Sequence, residues 1–202
     1  MHSALVRRTR PGDGCHAPGV RLPSLIDSRL FGDAERSALC LDGDCFPLGD
    51  GAWPVDAPAD AAARAASIAP SAERYALVAA LGTAAWVHGV LARPPRPHAL
   101  WVDLSTGSRT RALAAMPSEV RLAPDDVQQV GPLRVTTPLR TAVDLTRLEP
   151  VFPPDTACAV AGLLELAGSS PAALADRLSS GPAMPHKRRA VARLSALAAS
   201  SR

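Results

Sequence analysis

Hydrophobic positions along the chain change period between Leu133 and Arg147. Leu133, Arg134, Val135 and Thr136 alternate apolar and polar residues as a half-buried strand does. From there Leu139, Ala142 and Val143 recur on a 3.6-residue period, predicting a helix. Thr137 followed by Pro138 marks its start: Pro biases the residue before it toward extended geometry and suits the first helical position, so Thr137 is the expected N-cap. Arg140, Asp144 and Arg147 fall on the other side at i, i+4 and i+7, where Asp144 can bridge two arginines. The simplest expectation is a solvated salt-bridge face contributing about 0.2–0.5 kcal/mol per pair.

The same criteria divide the rest of the chain. Residues 1–24 mix Arg, Pro and Gly with little periodicity and read as a flexible basic tail carrying Arg7, Arg8 and Arg10. Ser28–Gly43 has a helical pattern closed by Gly43, and Cys45–Val55 a hairpin pattern about Gly49–Gly51. A helix followed by a two-stranded ribbon is the closing part of a winged helix-turn-helix, so residues 25–58 form a degenerate winged-helix-like segment. Residues 59–202 form the remaining unit. Two helices are expected first, from about Ala59 to Ala69, stopped by Pro70, and from about Ala72 to His88, with Ser71 as N-cap and Gly89 as stop. Ala99–Leu104, Glu119–Leu122 and Leu133–Thr136 are strand candidates for a small sheet. Beyond Glu149 come three helices, Thr156–Ala167, Ala172–Leu178 and Lys187–Ala199, the second opened by Ser170–Pro171 in the manner of Thr137–Pro138. The predicted class is α+β: the degenerate winged-helix-like segment, then a helix-rich core with a small β-sheet and C-terminal helices.

Composition narrows the chemistry. Aromatic residues make up 3% of 202 residues, too few for stacking platforms to dominate a single-stranded nucleic-acid site. The net charge of +3 permits a nucleic-acid partner without requiring one. No apolar run is long enough to predict a membrane span, and Met1–Arg10 lacks the apolar segment of a secretory signal, so a cytoplasmic location with four reduced cysteines is expected. Lys187 is the only lysine, which removes the phosphate-gripping lysine of a P-loop and leaves no plausible lysine for a metal-dependent nuclease core. Asp125–Asp126 reads as a solvated turn. Cys15–His16 and Cys40-x4-Cys45 match zinc-ligand spacing poorly, and His88 reads as a helix-end residue satisfying late carbonyls. Trp53, Trp86 and Trp101 read as core or ribbon anchors. No catalytic, cofactor or metal residues are expected.

Three phrases, Gly82–Val90 (GTAAWVHGV), Leu133–Thr146 (LRVTTPLRTAVDLT) and Pro185–Leu197 (PHKRRAVARLSAL), come in an order that resembles the AbiEi-like antitoxins of type IV toxin–antitoxin systems, actinobacterial branch. Ala34–Asp56 resembles the segment those proteins carry ahead of the same core. The resemblance implies a non-enzymatic cytoplasmic regulator with a winged-helix module that binds operator DNA and represses its own operon. Its functional partner would be a nucleotidyltransferase-like toxin. Some relatives continue into an endonuclease domain; none is expected here, in keeping with the single lysine. One departure stands out: Asp27, Asp33, Glu35, Asp42, Asp44 and Asp50 face only Arg29 and Arg36 in the winged segment, and duplex DNA repels an acidic head. Phosphate contacts are therefore expected away from that segment, from Arg7, Arg8 and Arg10, from Arg109 and Arg111, or from Lys187, Arg188, Arg189 and Arg193; Arg29 and Arg36 complete the DNA-contact candidates. Alternatively, the acidic segment faces a protein partner and DNA recognition has been lost.

Overall fold

Local chemistry sets where each element begins. In the computed structural model, which describes residues 25–27, 30–73, 77–106 and 118–200, helix α1 (Asp33–Leu41) starts at Gly32, whose N–H donates to Glu35 Oε2 at 2.8 Å. The expected start at Ser28 is not reached. Asp27 O instead accepts the Leu30 and Phe31 N–H groups in a turn, and Ser28 lies outside the described residues. β1 (Cys45–Leu48) and β2 (Gly51–Pro54) form the predicted antiparallel hairpin, extended by a bridge from Ile26 to Ala52. Gly49 holds φ +55 in the turn against Ser67, where a side chain would collide.

Between residues 59 and 88 the structure departs from the expected two helices. α2 (Ala61–Glu73) runs through Pro70, because Ile68, Ala69 and Ala72 on either side of it are buried and hold the helix in place. Ser71 is no N-cap; its hydroxyl donates to Asp50 Oδ2 at 2.8 Å and ties α2 to the hairpin turn. The expected second helix is divided by β3 (Val78–Ala79), a strand buried on both faces, after which α3 (Leu81–Val87) makes two turns. A short, continuously apolar run serves a central strand as well as a buried helix, and here its neighbours decided the matter.

β4 (Leu100–Asp103), β5 (Glu119–Val120), β6 (Val127–Val130) and β7 (Leu133–Thr136) complete a mixed sheet of order β5-β4-β3-β7-β6. β3 is parallel to β7 and antiparallel to β4; β6 and β7 form a hairpin about Gly131, at φ +54. β6 was not among the sequence-derived strands. Its Val-Gln-Gln-Val run has one apolar residue at each end, and it becomes a strand through register with β7.

One face of the sheet (Ala79, Val102, Leu133, Val135) packs under α2, Trp86 of α3, and Leu48 and Trp53 of the hairpin. The other gathers Val78, Trp101 and Leu122. α4 (Pro138–Leu148), α5 (Pro154–Leu166), α6 (Pro171–Ser180) and α7 (Lys187–Ser200) form a bundle around Ala142, Leu145, Val160, Leu163, Leu174 and Leu194. The α+β class with C-terminal helices is thus the observed one. No single helix among the described residues is long and apolar enough to cross a membrane.

Two polar links bind this frame. Asp50 accepts from His98 Nε2 at 3.1 Å and from Ser71, and the His98 bond foremost, against burial, holds its carboxyl below the usual range. Asp103 on β4 accepts from Arg134 on β7 at 2.7 Å, joining the strands that flank β3. Burial pushes the Asp103 carboxyl up, but the Ser105 hydroxyl, Arg134 and the Ser105 N–H outweigh it and carry it below the usual range. A carboxyl depressed by folding contributes stability above its unfolded value, about pH 4, and loses it as pH falls through the lower folded value. Urea melts of wild type and Asp103→Asn will therefore differ most at neutral pH and converge as pH falls below about 4. A gap that widens on acidification contradicts this.

Candidate functional site

The junction of β7 and α4 is polar throughout. Thr137 caps α4 as its sequence predicts, its Oγ1 accepting from Arg140 N at 3.4 Å with Pro138 following. Thr141 Oγ1 donates to Thr137 O at 2.8 Å and lies 2.7 Å from Thr136 Oγ1. His88, at the end of α3, donates from Nε2 to Thr136 O at 2.8 Å; its carbonyl partner lies on β7 and not on its own helix. Burial lowers the His88 pKa, which keeps the ring neutral.

The charged side of α4 is not a solvated face. Asp144 is 1% exposed, and its carboxylate accepts from Arg140 Nε at 2.5 Å and Arg147 Nη1 at 3.3 Å. Arg140 Nη1 also donates to Asp126 Oδ2 at 2.6 Å, and its guanidinium lies 6.0 Å from the centre of the Trp101 ring. Asp126 stands in the 3₁₀ turn Pro124–Asp126, where it further accepts from Ala123 N at 3.2 Å. The expected solvated Asp125–Asp126 turn thus delivers one carboxylate to the network and leaves Asp125 exposed. Burial pushes the Asp144 carboxyl up against the pull of Arg140 and Arg147. Burial also works against the charge of Arg140, and Asp144 and Asp126 outweigh it, holding the guanidinium protonated.

A cleft of about 470 Å³ opens beside this network, between α4, the 3₁₀ turn, α6 and the loop after α6. Leu139, Val143, Leu174, Leu178 and Met184 line its apolar part, and Arg140, Arg147 and Arg177 its polar part. The sequence pattern marked Arg140 and Arg147 without the cleft; Arg177 carried no sequence signal beyond its place near the end of a helix.

The cations named as DNA-contact candidates are distributed as follows. Arg29, Arg109 and Arg111 lie outside the described residues, as do Arg7, Arg8 and Arg10 of the basic tail. Arg36 pairs with Asp33 one turn before it. Lys187 Nζ donates to Ser179 O at 3.0 Å and Gly181 O at 2.7 Å, closing the end of α6. Arg189 donates to Arg147 O, and Arg193 to Thr146 O at 3.0 Å, Glu149 O at 2.8 Å and Pro150 O at 3.2 Å, with its guanidinium 4.7 Å from the Phe152 ring centre. Cations at the start of a helix oppose its dipole, yet these serve the carbonyl ends of two neighbouring helices, where positive charge is favourable. Arg188 is exposed and makes no such bond among the described residues. Cys40 and Cys45 pack with Ile26 and Ala52, and no group of three or more His, Cys, Asp or Glu able to hold a metal occurs among the described residues.

Residues 77–198 match the family model described as the AbiEi antitoxin C-terminal domain, a stretch that spans β3 through nearly all of α7. No curated protein and no solved structure matches the chain. The chain belongs to the AbiEi antitoxin C-terminal domain family. It thereby falls among antitoxins of toxin–antitoxin pairs, a generally non-enzymatic family whose role implies a toxin partner.

Removing Asp144 takes the shared carboxylate from two largely buried guanidiniums, leaving Arg140 with Asp126 and Arg147 with the Pro185 carbonyl. Asp144→Ala is therefore expected to cost about 3–5 kcal/mol in urea melts. A cost of a few tenths would return the trio to the class of exposed helix pairs.

Proposed function

We propose that the chain is a non-catalytic, DNA-binding antitoxin that represses its own toxin–antitoxin operon, with a nucleotidyltransferase-like toxin as its functional partner in the cytoplasm. The observation that carries this reading is the family match over residues 77–198, preceded by a helix and hairpin (α1, β1 and β2) such as close a winged-helix module. Arg188 is the best placed of the proposed DNA contacts, because it is exposed while Lys187, Arg189 and Arg193 hold carbonyls. Arg29, Arg36, Arg109 and Arg111 complete the proposed phosphate-contacting set. Fluorescence anisotropy with the DNA upstream of its own reading frame tests the reading. Tighter binding there than to random duplex is expected, weakening with salt through counterion release, and Arg188→Ala is expected to weaken both duplexes alike, as loss of a phosphate contact does. Affinity that is absent, or equal for both duplexes, overturns it.

A second reading rests on α1 and the hairpin. None of the α1 side chains is buried, Leu41 is 87% exposed, and Asp42, Asp44 and Asp56 stand exposed around it. An acidic surface with apolar points suits a basic protein partner better than a duplex. On this reading the module keeps the fold and has lost DNA recognition. Co-purification of a stoichiometric protein partner, abolished by Asp42→Asn with Asp44→Asn, supports it. Operator binding that survives the double substitution unchanged, with no partner retained, counts against it.

A further inference from the structure

We propose that the cleft between α4 and α6 is a binding site for a small organic carboxylate with an apolar body. The cleft's volume of about 470 Å³ is within the range of small-ligand sites. Its two ends differ in charge. Asp125 and Asp126 stand at the Arg140 end, while Arg147 lies about 10 Å further along the axis of α4, seven residues on at 1.5 Å each.

There Arg147 is met by Asp144, and Arg177 supplies the cleft with a guanidinium that is in no ion pair among the described residues. Arg147 gives Nη1 to Asp144 and Nε to Pro185 O, which fixes the guanidinium in place at the cleft wall. Arg177 lines the cleft from α6 and is exposed. The carbonyls of Ser179 and Gly181, which would repel an anion approaching the end of α6, already accept from Lys187 Nζ. Two guanidiniums at the rim of an apolar pocket match a carboxylate joined to a hydrocarbon or aromatic body. The carboxylate meets Arg177 and the edge of Arg147 in charge-assisted hydrogen bonds, and the body covers Val143, Leu174 and Leu178. Asp126 is already paired with Arg140.

Isothermal titration of the full chain with phenylacetate and octanoate, and with their uncharged amides, tests the site. Saturable binding of at least one carboxylate at about 1 mM or tighter is expected, with its amide at least about ten-fold weaker. Arg177→Glu is expected to weaken the carboxylate by at least about ten-fold in a protein that still unfolds in one cooperative transition, its melting temperature lowered only by the loss of a favourable charge at the end of α6. Absence of saturable binding by both carboxylates, equal binding of carboxylate and amide, or binding indifferent to Arg177→Glu each overturns the proposal. Operator affinity plays no part in these outcomes, so the site and the DNA reading fail or stand separately.

Discussion

A single buried carboxylate holds the architecture of the C-terminal half. Asp144 lies between two arginines of its own helix, and through Arg140 it reaches Asp126 and the face of Trp101. Three parts of the chain that are distant in sequence, the 3₁₀ turn before β6, strand β4 and helix α4, thereby share one set of charges. An ion pair withdrawn from water gains little net stability over a well-packed apolar alternative, because desolvation offsets much of the attraction. What it does supply is a demand for one arrangement: the pairs within α4 travel with the helix, but a slip of α4 by a turn would take Arg140 away from Asp126 and the face of Trp101. The Thr136–Thr137–Thr141 hydrogen bonds and the His88 bond to Thr136 O fix the same helix at its start. α4 is consequently pinned to the sheet on one side, with the bundle packed on its other.

The last helix answers the same constraint from the opposite end. Arg189 and Arg193 donate to carbonyls at the end of α4 and in the turn after it, and Lys187 does so for α6. The basic cluster that looked unfavourable for α7 as an isolated helix is favourable for the bundle, since it lies at the negative ends of two others. Most of that charge is inward-looking, which leaves Arg188 and the cleft-lining Arg177 as the exposed arginines of this part among the described residues. It also explains why counting arginines in the sequence overstated the surface available for phosphates.

How much was legible beforehand depended on whether the signal was local. The boundary at Thr137–Pro138, the strand Leu133–Thr136, the hairpin about Gly49–Gly51 and the Ser170–Pro171 start each rest on two agreeing cues within a few residues, and all four are present. The family strings around Trp86, Thr137 and Lys187 are similarly local, and the family they indicate is the one matched. β3 was illegible because two apolar residues acquire strand character only from β4 and β7 on either side. Pro70 misled because a helix interior normally excludes it, and only the burial of Ile68, Ala69 and Ala72 overrides that preference. The Arg140–Asp144–Arg147 spacing was visible, but its burial was not: solvation of a helix face is decided by what packs over it, here residues from β4 and the 3₁₀ turn.

A double-mutant cycle between Arg140 and Asp144, with each changed singly and together to Ala and stability read from urea melts, tests that central dependence most directly. If the buried network organises the fold, the coupling energy exceeds about 1.5 kcal/mol. A coupling below about 0.5 kcal/mol, the level of an exposed i, i+4 pair, would contradict it.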